Sequence, residues 1–156
     1  LVQACSPITG MSAEYAEFDG SPMSRKLGWS NDRHDWFYSD SYRTVANIGL
    51  DYEWFGIDEG QCAAVDRLQE FLLEDARRNQ FHTYEINGTV AQSDVLHPVA
   101  IIATVAQGSL AANNPFMNEW IERFWNTPMR TGVRRYYDNC LYFFAFLALS
   151  GKYRIW

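Results

Sequence analysis

Residues 138–150 are apolar almost all the way round a helical wheel. A helix with no polar face cannot lie on a protein surface, so other elements must pack against several of its sides. Gly151 ends it, and Asp138 or Asn139 is placed to cap it. The longest apolar run inside it, residues 141–149, is too short to cross a bilayer, which takes about 20 residues. A chain carrying such a segment has to be a layered helical protein, and no membrane partner is expected.

The helices that could surround it are legible by period. Residues 61–78 bury Ala64, Leu68, Phe71 and Leu72 and turn Asp66, Arg67, Glu70, Glu74, Asp75, Arg77 and Arg78 outward. Pro98 at a first helical position opens residues 99–112, apolar at Val99, Ile102, Ala103, Ala106 and Leu110. Asn114-Pro115 starts 116–126, with Met117, Trp120, Ile121 and Phe124 inward. Between the second and third helices, Tyr84-Glu85-Ile86 and Thr89-Val90 flank Asn87-Gly88, the strongest short signal for a β-hairpin. The pattern gives an all-α chain with one small β-hairpin. Its 156 residues form a single domain. Residues 1–20 read as the tail of a helix, a turn at 6–10 and a short extended piece, and 24–33 as a polar loop.

Chemistry gathers at two helix starts. Trp36-Phe37-Tyr38 is an aromatic approach strand, followed by Ser39-Asp40 and then a helix whose stripe is Tyr42, Val45, Ala46, Ile48, Gly49 and Tyr52. Free N–H groups at that helix start and the cation of Arg43 favour an ionised Asp40, the state a general base needs. Ser39 and Asp40 are equally ordinary capping residues. His97 stands just outside the helix that Pro98 opens, which suits a neutral imidazole able to bond a hydroxyl. Tyr136 and Tyr137 open the last helix. Arg130, Arg134 and Arg135 before it are expected to tie loops to acidic neighbours or to bond sugar hydroxyls. His34 and Asp35 read as solvated loop residues.

The net charge of −6 argues against nucleic acid, whose phosphates demand a basic face. Cys5, Cys62 and Cys140 are odd in number and widely spaced, with neither zinc nor disulfide pattern, so reduced buried thiols, no metal and no cofactor are expected. With six Trp, nine Tyr and ten Phe the chain can fill a large core and still line a cleft for flat sugar rings.

Three segments resemble glycoside hydrolase family 8. They are Tyr38 to Arg43 with Asn47-Ile48-Gly49-Leu50-Asp51 and Trp54-Phe55; Leu96-His97-Pro98; and Phe124 to Pro128, Arg130-Thr131-Gly132, Arg134 to Tyr142 and Leu147 to Gly151. The middle segment is similar to a loop of the reducing-end xylose-releasing exo-oligoxylanases. The resemblance implies the carboxyl-terminal part of an (α/α)6 barrel and an inverting hydrolysis of xylo-oligosaccharides. Asp40 would be the general base and Arg43 its ionic partner, with His97 on the reducing-end hydroxyl and Tyr38, Tyr136 and Tyr137 near the sugar. The family's general acid, a Glu, and the Asp that holds the sugar at the cleavage point have no counterparts here. The remaining amino-terminal part of the same enzyme is therefore the expected partner, and the cytoplasm the expected location. A non-catalytic sugar-binding fragment, or an endo-acting xylanase, glucanase or chitosanase, is the alternative. An incomplete ring of inward-facing helices would expose a wide apolar wall.

Overall fold

In the computed structural model, which describes residues 2–24 and 33–155, strand β1 (Trp36–Phe37) leads through a 3-10 turn, Ser39–Ser41, into helix α1 (Tyr42–Phe55). Helix α2 (Glu59–Arg78), strands β2 (Thr83–Glu85) and β3 (Val90–Gln92), and helices α3 (Pro98–Gly108), α4 (Met117–Asn126) and α5 (Arg135–Leu149) follow. The described chain is mostly helical with one small antiparallel sheet, ordered β1-β2-β3, and forms part of a helical barrel.

Helix α3 is the centre of the packing. Every residue from Ala100 to Gly108 is buried, because α1, α2, α4 and α5 all lie against it. Small side chains let α1 come close: a Cβ on Gly49 would stand 2.5 Å from the Gln107 carbonyl oxygen, and one on Gly108 2.7 Å from Val45 Cγ2. Gln107 Nε2 donates to the Ala46 carbonyl at 3.0 Å across the same crossing. On the other side, wholly buried Gln69 joins three helices. Its Nε2 donates to the Val105 carbonyl and Ser109 Oγ, its Oε1 accepts from Asn114 Nδ2, and its own carbonyl accepts from Trp120 Nε1. Each polar atom of that side chain is satisfied, which is what makes a buried amide tolerable.

Several boundaries differ from the periodic reading. α2 starts at Glu59 because Asp58 caps it, its side chain accepting from Gly60 N–H. It ends at Asn79 in the left-handed conformation. α3 stops at Gly108, and residues 109–112 continue as turns. The hairpin loop is longer than two residues: Gly88 N–H closes on the Glu85 carbonyl, and Gly88 at φ +97° rests on Phe71 of α2, where any Cβ would meet the ring. β1 joins the hairpin as a third strand, Trp36 opposite Glu85 and Phe37 opposite Tyr84. The supposed helix tail at the start is a 3-10 turn, Val2–Ala4. Trp156 and residues 25–32 lie outside the described residues.

Two corrections concern α5. It begins at Arg135, three residues early, so Asp138 sits inside its first turn and cannot cap it. Nor is α5 enclosed. Asp138, Leu141, Ala145 and Ala148 are buried in a single stripe against α3, while Phe143, Phe144 and Phe146 are 56%, 43% and 41% exposed. Spacing of three and four residues puts only that stripe on α3, and the opposite face is met only in part, Phe146 by Trp125 of α4 and Phe144 by Tyr153. Cys5, Cys62 and Cys140 are half-buried, and burial pushes the Cys5 thiol up to about 11.

Candidate active-site wall

Asp40 does not cap α1. It lies within the 3-10 turn, and Ser41, the residue before α1, makes no side-chain cap either. Arg43, one turn on, reaches back to it: Nη2 stands 3.0 Å from Asp40 Oδ1, and Nε donates to the Asp40 carbonyl at 3.4 Å. Both side chains are partly open to solvent. The turn that carries Asp40 is strained, since Ser39 has φ +40°, a region L-residues enter at a cost of about 1–3 kcal/mol. Tyr137 of α5 straps it down, its hydroxyl donating to the Ser39 carbonyl at 2.8 Å. Burial, and next the negative charge of Asp40, pushes the Tyr137 phenol well above its ordinary value.

The other face of Tyr137 meets His97, with ring centroids 4.5 Å apart. His97 is buried at the amino end of α3, and its Nδ1 lies 2.8 Å from Oδ2 of the wholly buried Asp138. Asp138 Oδ1 accepts from Ala100 N–H at 2.9 Å. Asp138 therefore caps α3, the neighbouring helix, instead of its own. Arg130 Nη1 donates to the same Oδ2 at 2.7 Å and to the Leu96 carbonyl. Arg130 is itself fixed by Asn139, whose amide exchanges two hydrogen bonds with the Arg130 backbone. Tyr137 thus links a carboxylate turn and an imidazole loop on one continuous wall.

A scan against protein-family models finds no match. Among curated proteins the chain is 49% identical over its full length to the reducing-end xylose-releasing exo-oligoxylanase Rex8A of Paenibacillus barcinonensis, covering 40% of that protein. It is 52% identical, over 99% of its length and again 40% of the relative, to the reducing end xylose-releasing exo-oligoxylanase of Bifidobacterium adolescentis. Solved structures agree. Rex8A complexed with xylose superposes with a TM-score of 0.91 at 47% identity, over 98% of this chain and 40% of that one. So does, at 46% identity and the same TM-score and coverage, a Rex8A double variant with a leucine changed to alanine and the histidine after it to serine.

The chain is similar to these enzymes in sequence and fold over nearly its whole length. It spans about 40% of the length of the curated relatives it matches.

The six residues singled out from sequence divide. Asp40, Arg43, Tyr137 and His97 stand on the wall. Tyr38 leads directly into it, its N–H donating to Ser41 Oγ at 2.8 Å and closing the turn. Tyr136 does not join them: it is 83% exposed and lines a surface depression with Arg135, Asn139, Cys140, Phe143 and Phe144. Consecutive residues of a helix point about 100° apart, so only one of the two tyrosines can face α3 and the Ser39 turn. His34 and Asp35 are not solvated loop residues. His34 is buried, its Nδ1 2.6 Å from Glu14 Oε2 and its ring against Tyr15; Asp35 takes both guanidinium donors of Arg33, which hold its carboxyl below the usual range.

Sequence reasoning missed Asp138, Glu14 and Tyr15. Burial, then the charges of Glu14 and Asp40, pushes the Tyr15 phenol up, which marks its nearness to the same wall. Asp138 carried a signal of its own, an acid in a helix otherwise apolar all round. Such a residue has to be paired. No group of His, Cys, Asp and Glu among the described residues could hold a metal ion.

Proposed function

We propose that this chain is the carboxyl-terminal part of an inverting glycoside hydrolase of family 8 that releases xylose from the reducing end of xylo-oligosaccharides. Asp40 is the general base, with Arg43 keeping it ionised and oriented. Its counterpart, a Glu acid, comes from an upstream part of the same enzyme that completes the (α/α)6 barrel against the open face of α5. An inverting pair stands about 6.5–9.5 Å apart, leaving room for the attacking water between Asp40 and the sugar. His97, on the loop between β3 and α3, bonds the reducing-end hydroxyl. Tyr38 and Tyr137 border the sugar; Tyr136 serves the junction with the upstream part.

One observation carries this reading: the match over the whole of this chain, at about half identity, to enzymes named for this activity; the chain also holds a consecutive Leu96-His97, and a Rex8A variant is altered at a consecutive leucine and histidine. The exposed rings of Phe143, Phe144 and Phe146 favour a second reading for the chain alone, a non-catalytic fragment awaiting its complement.

The test is hydrolysis of xylotriose by the chain joined to the upstream part, with product anomers followed by proton NMR. Asp40→Asn should lower turnover by about 10²–10⁴-fold with xylotriose still bound. A near-normal rate would mean that another carboxylate is the base. His97→Ala should erase the preference for xylotriose over its reduced alditol; endo-action by the unaltered enzyme on long xylan would refute the exo reading.

A further inference from the structure

We infer that Asp138 is the positioning residue for His97, fixing the imidazole proton on Nδ1 so that Nε2 meets the substrate as a hydrogen-bond acceptor. This rests on the reading of His97 as the residue that bonds the leaving-end hydroxyl, and it specifies what that hydroxyl must do: donate.

The argument is a donor and acceptor count. Asp138 is wholly buried, and two of its contacts are with groups that can only donate, Arg130 Nη1 at 2.7 Å and Ala100 N–H at 2.9 Å. A carboxylate in that setting is acceptor-only, so the third contact, His97 Nδ1 at 2.8 Å, has to be a donor as well. In the neutral ring the lone pair then lies on Nε2. The ring cannot turn over to exchange its nitrogens cheaply. Tyr137 packs on it at 4.5 Å, Pro98 fixes the backbone after it, and Arg130 holds the Leu96 carbonyl before it. The loop is thus anchored on both sides of His97, and before it by Arg130, which also touches Asp138.

An acceptor at Nε2 selects by chemistry. A free anomeric hydroxyl has a proton to give, whereas an alkyl xyloside presents only an ether oxygen, which leaves two acceptors facing each other. Asp138→Ala removes the acceptor that Nδ1 meets, so the ring proton is free to sit on Nε2. A ring in that state donates and tolerates the ether.

Two measurements test this. In the unaltered chain, long-range ¹⁵N–¹H correlation of the His97 ring should give the Nδ1–H tautomer at neutral pH; an Nε2–H tautomer overturns the inference, and this result needs no variant to fold. In the chain joined to its upstream part, the ratio of kcat/KM for xylotriose to that for methyl xylotrioside should fall about tenfold or more in Asp138→Ala, through KM rather than kcat, with part of the ratio kept in Asp138→Glu. A ratio lost in His97→Ala but unchanged in Asp138→Ala overturns the inference alone. A ratio untouched by His97→Ala overturns the reading of His97 and the inference with it.

Discussion

Replacing Gly49 by alanine tests whether the α1–α3 crossing sets the geometry of the wall. The new methyl would stand 2.5 Å from the Gln107 carbonyl oxygen, 3.1 Å from Gly108 Cα and 3.2 Å from the Gln107 carbonyl carbon. All three are backbone atoms of a buried helix, so no side chain can swing aside. Restoring a normal contact of about 3.4 Å needs a separation of roughly 0.9 Å. Overpacking of this kind costs about 1–3 kcal/mol. The same movement stretches the 3.0 Å bond from Gln107 Nε2 to the Ala46 carbonyl beyond bonding range, at about 1 kcal/mol more. Against this, alanine gains about 1 kcal/mol of helix propensity over glycine. The net expectation is about 1–3 kcal/mol of destabilisation, or roughly 2–12 °C in Tm for a chain of this size. Urea unfolding followed by circular dichroism should show a lower midpoint at unchanged slope. Asn47→Ala, on the exposed side of α1, is the control and should stay within about 0.5 kcal/mol. Because α1 follows the Asp40 turn and α3 follows His97, a shift approaching 1 Å should also cost up to about 10²-fold in turnover in the completed enzyme. A Gly49→Ala chain as stable as its parent would refute the reasoning, since propensity alone would then have decided the outcome.

Tyr137→Phe removes the hydroxyl that holds the Ser39 carbonyl; about 1 kcal/mol of stability and about tenfold in turnover should go together, and a loss of stability with full activity would show that the strap does not orient Asp40. Burial, as the first cause, raises both Tyr42 and Tyr137 above the ordinary value near 10, so the folded state holds those protons more tightly than the unfolded chain does. Stability from this source is complete below about pH 10 and falls as pH rises further, which Tm measured from pH 8 to 11.5 should register as an accelerating decline. Phe143→Glu, on the more exposed part of α5, should leave the Tm of the chain alone within about 1 °C while weakening its association with the upstream part; a large stability loss would mean that the face is covered within the chain itself.

Local information sufficed wherever one residue's neighbours in sequence are also its neighbours in space. Helical period gave all five helices, because a buried stripe has to repeat every three or four residues. Pro98 and the Asn87-Gly88 pair marked a helix start and a reversal through constraints on their own φ angles. Asp40 and Arg43 were legible as a pair because one helical turn joins them. The Leu96-His97-Pro98 loop was legible as a unit for the same reason.

What lay beyond was decided by contacts between distant segments. Sequence placed Asp138 at the cap of its own helix; tertiary packing made it the cap of α3 and the partner of His97, 41 residues away. It also separated Tyr136 from Tyr137, paired His34 with Glu14, and added β1 to the hairpin. Hydrogen bonds and ion pairs act over a few ångströms, so a sequence can list the groups that must find partners but not which partners they find. The uniform apolarity of α5 is the clearest case. The sequence by itself required that helix to be packed on several sides, and only the structure shows that α3 covers one stripe while the rings of Phe143, Phe144 and Phe146 stay about half open to solvent.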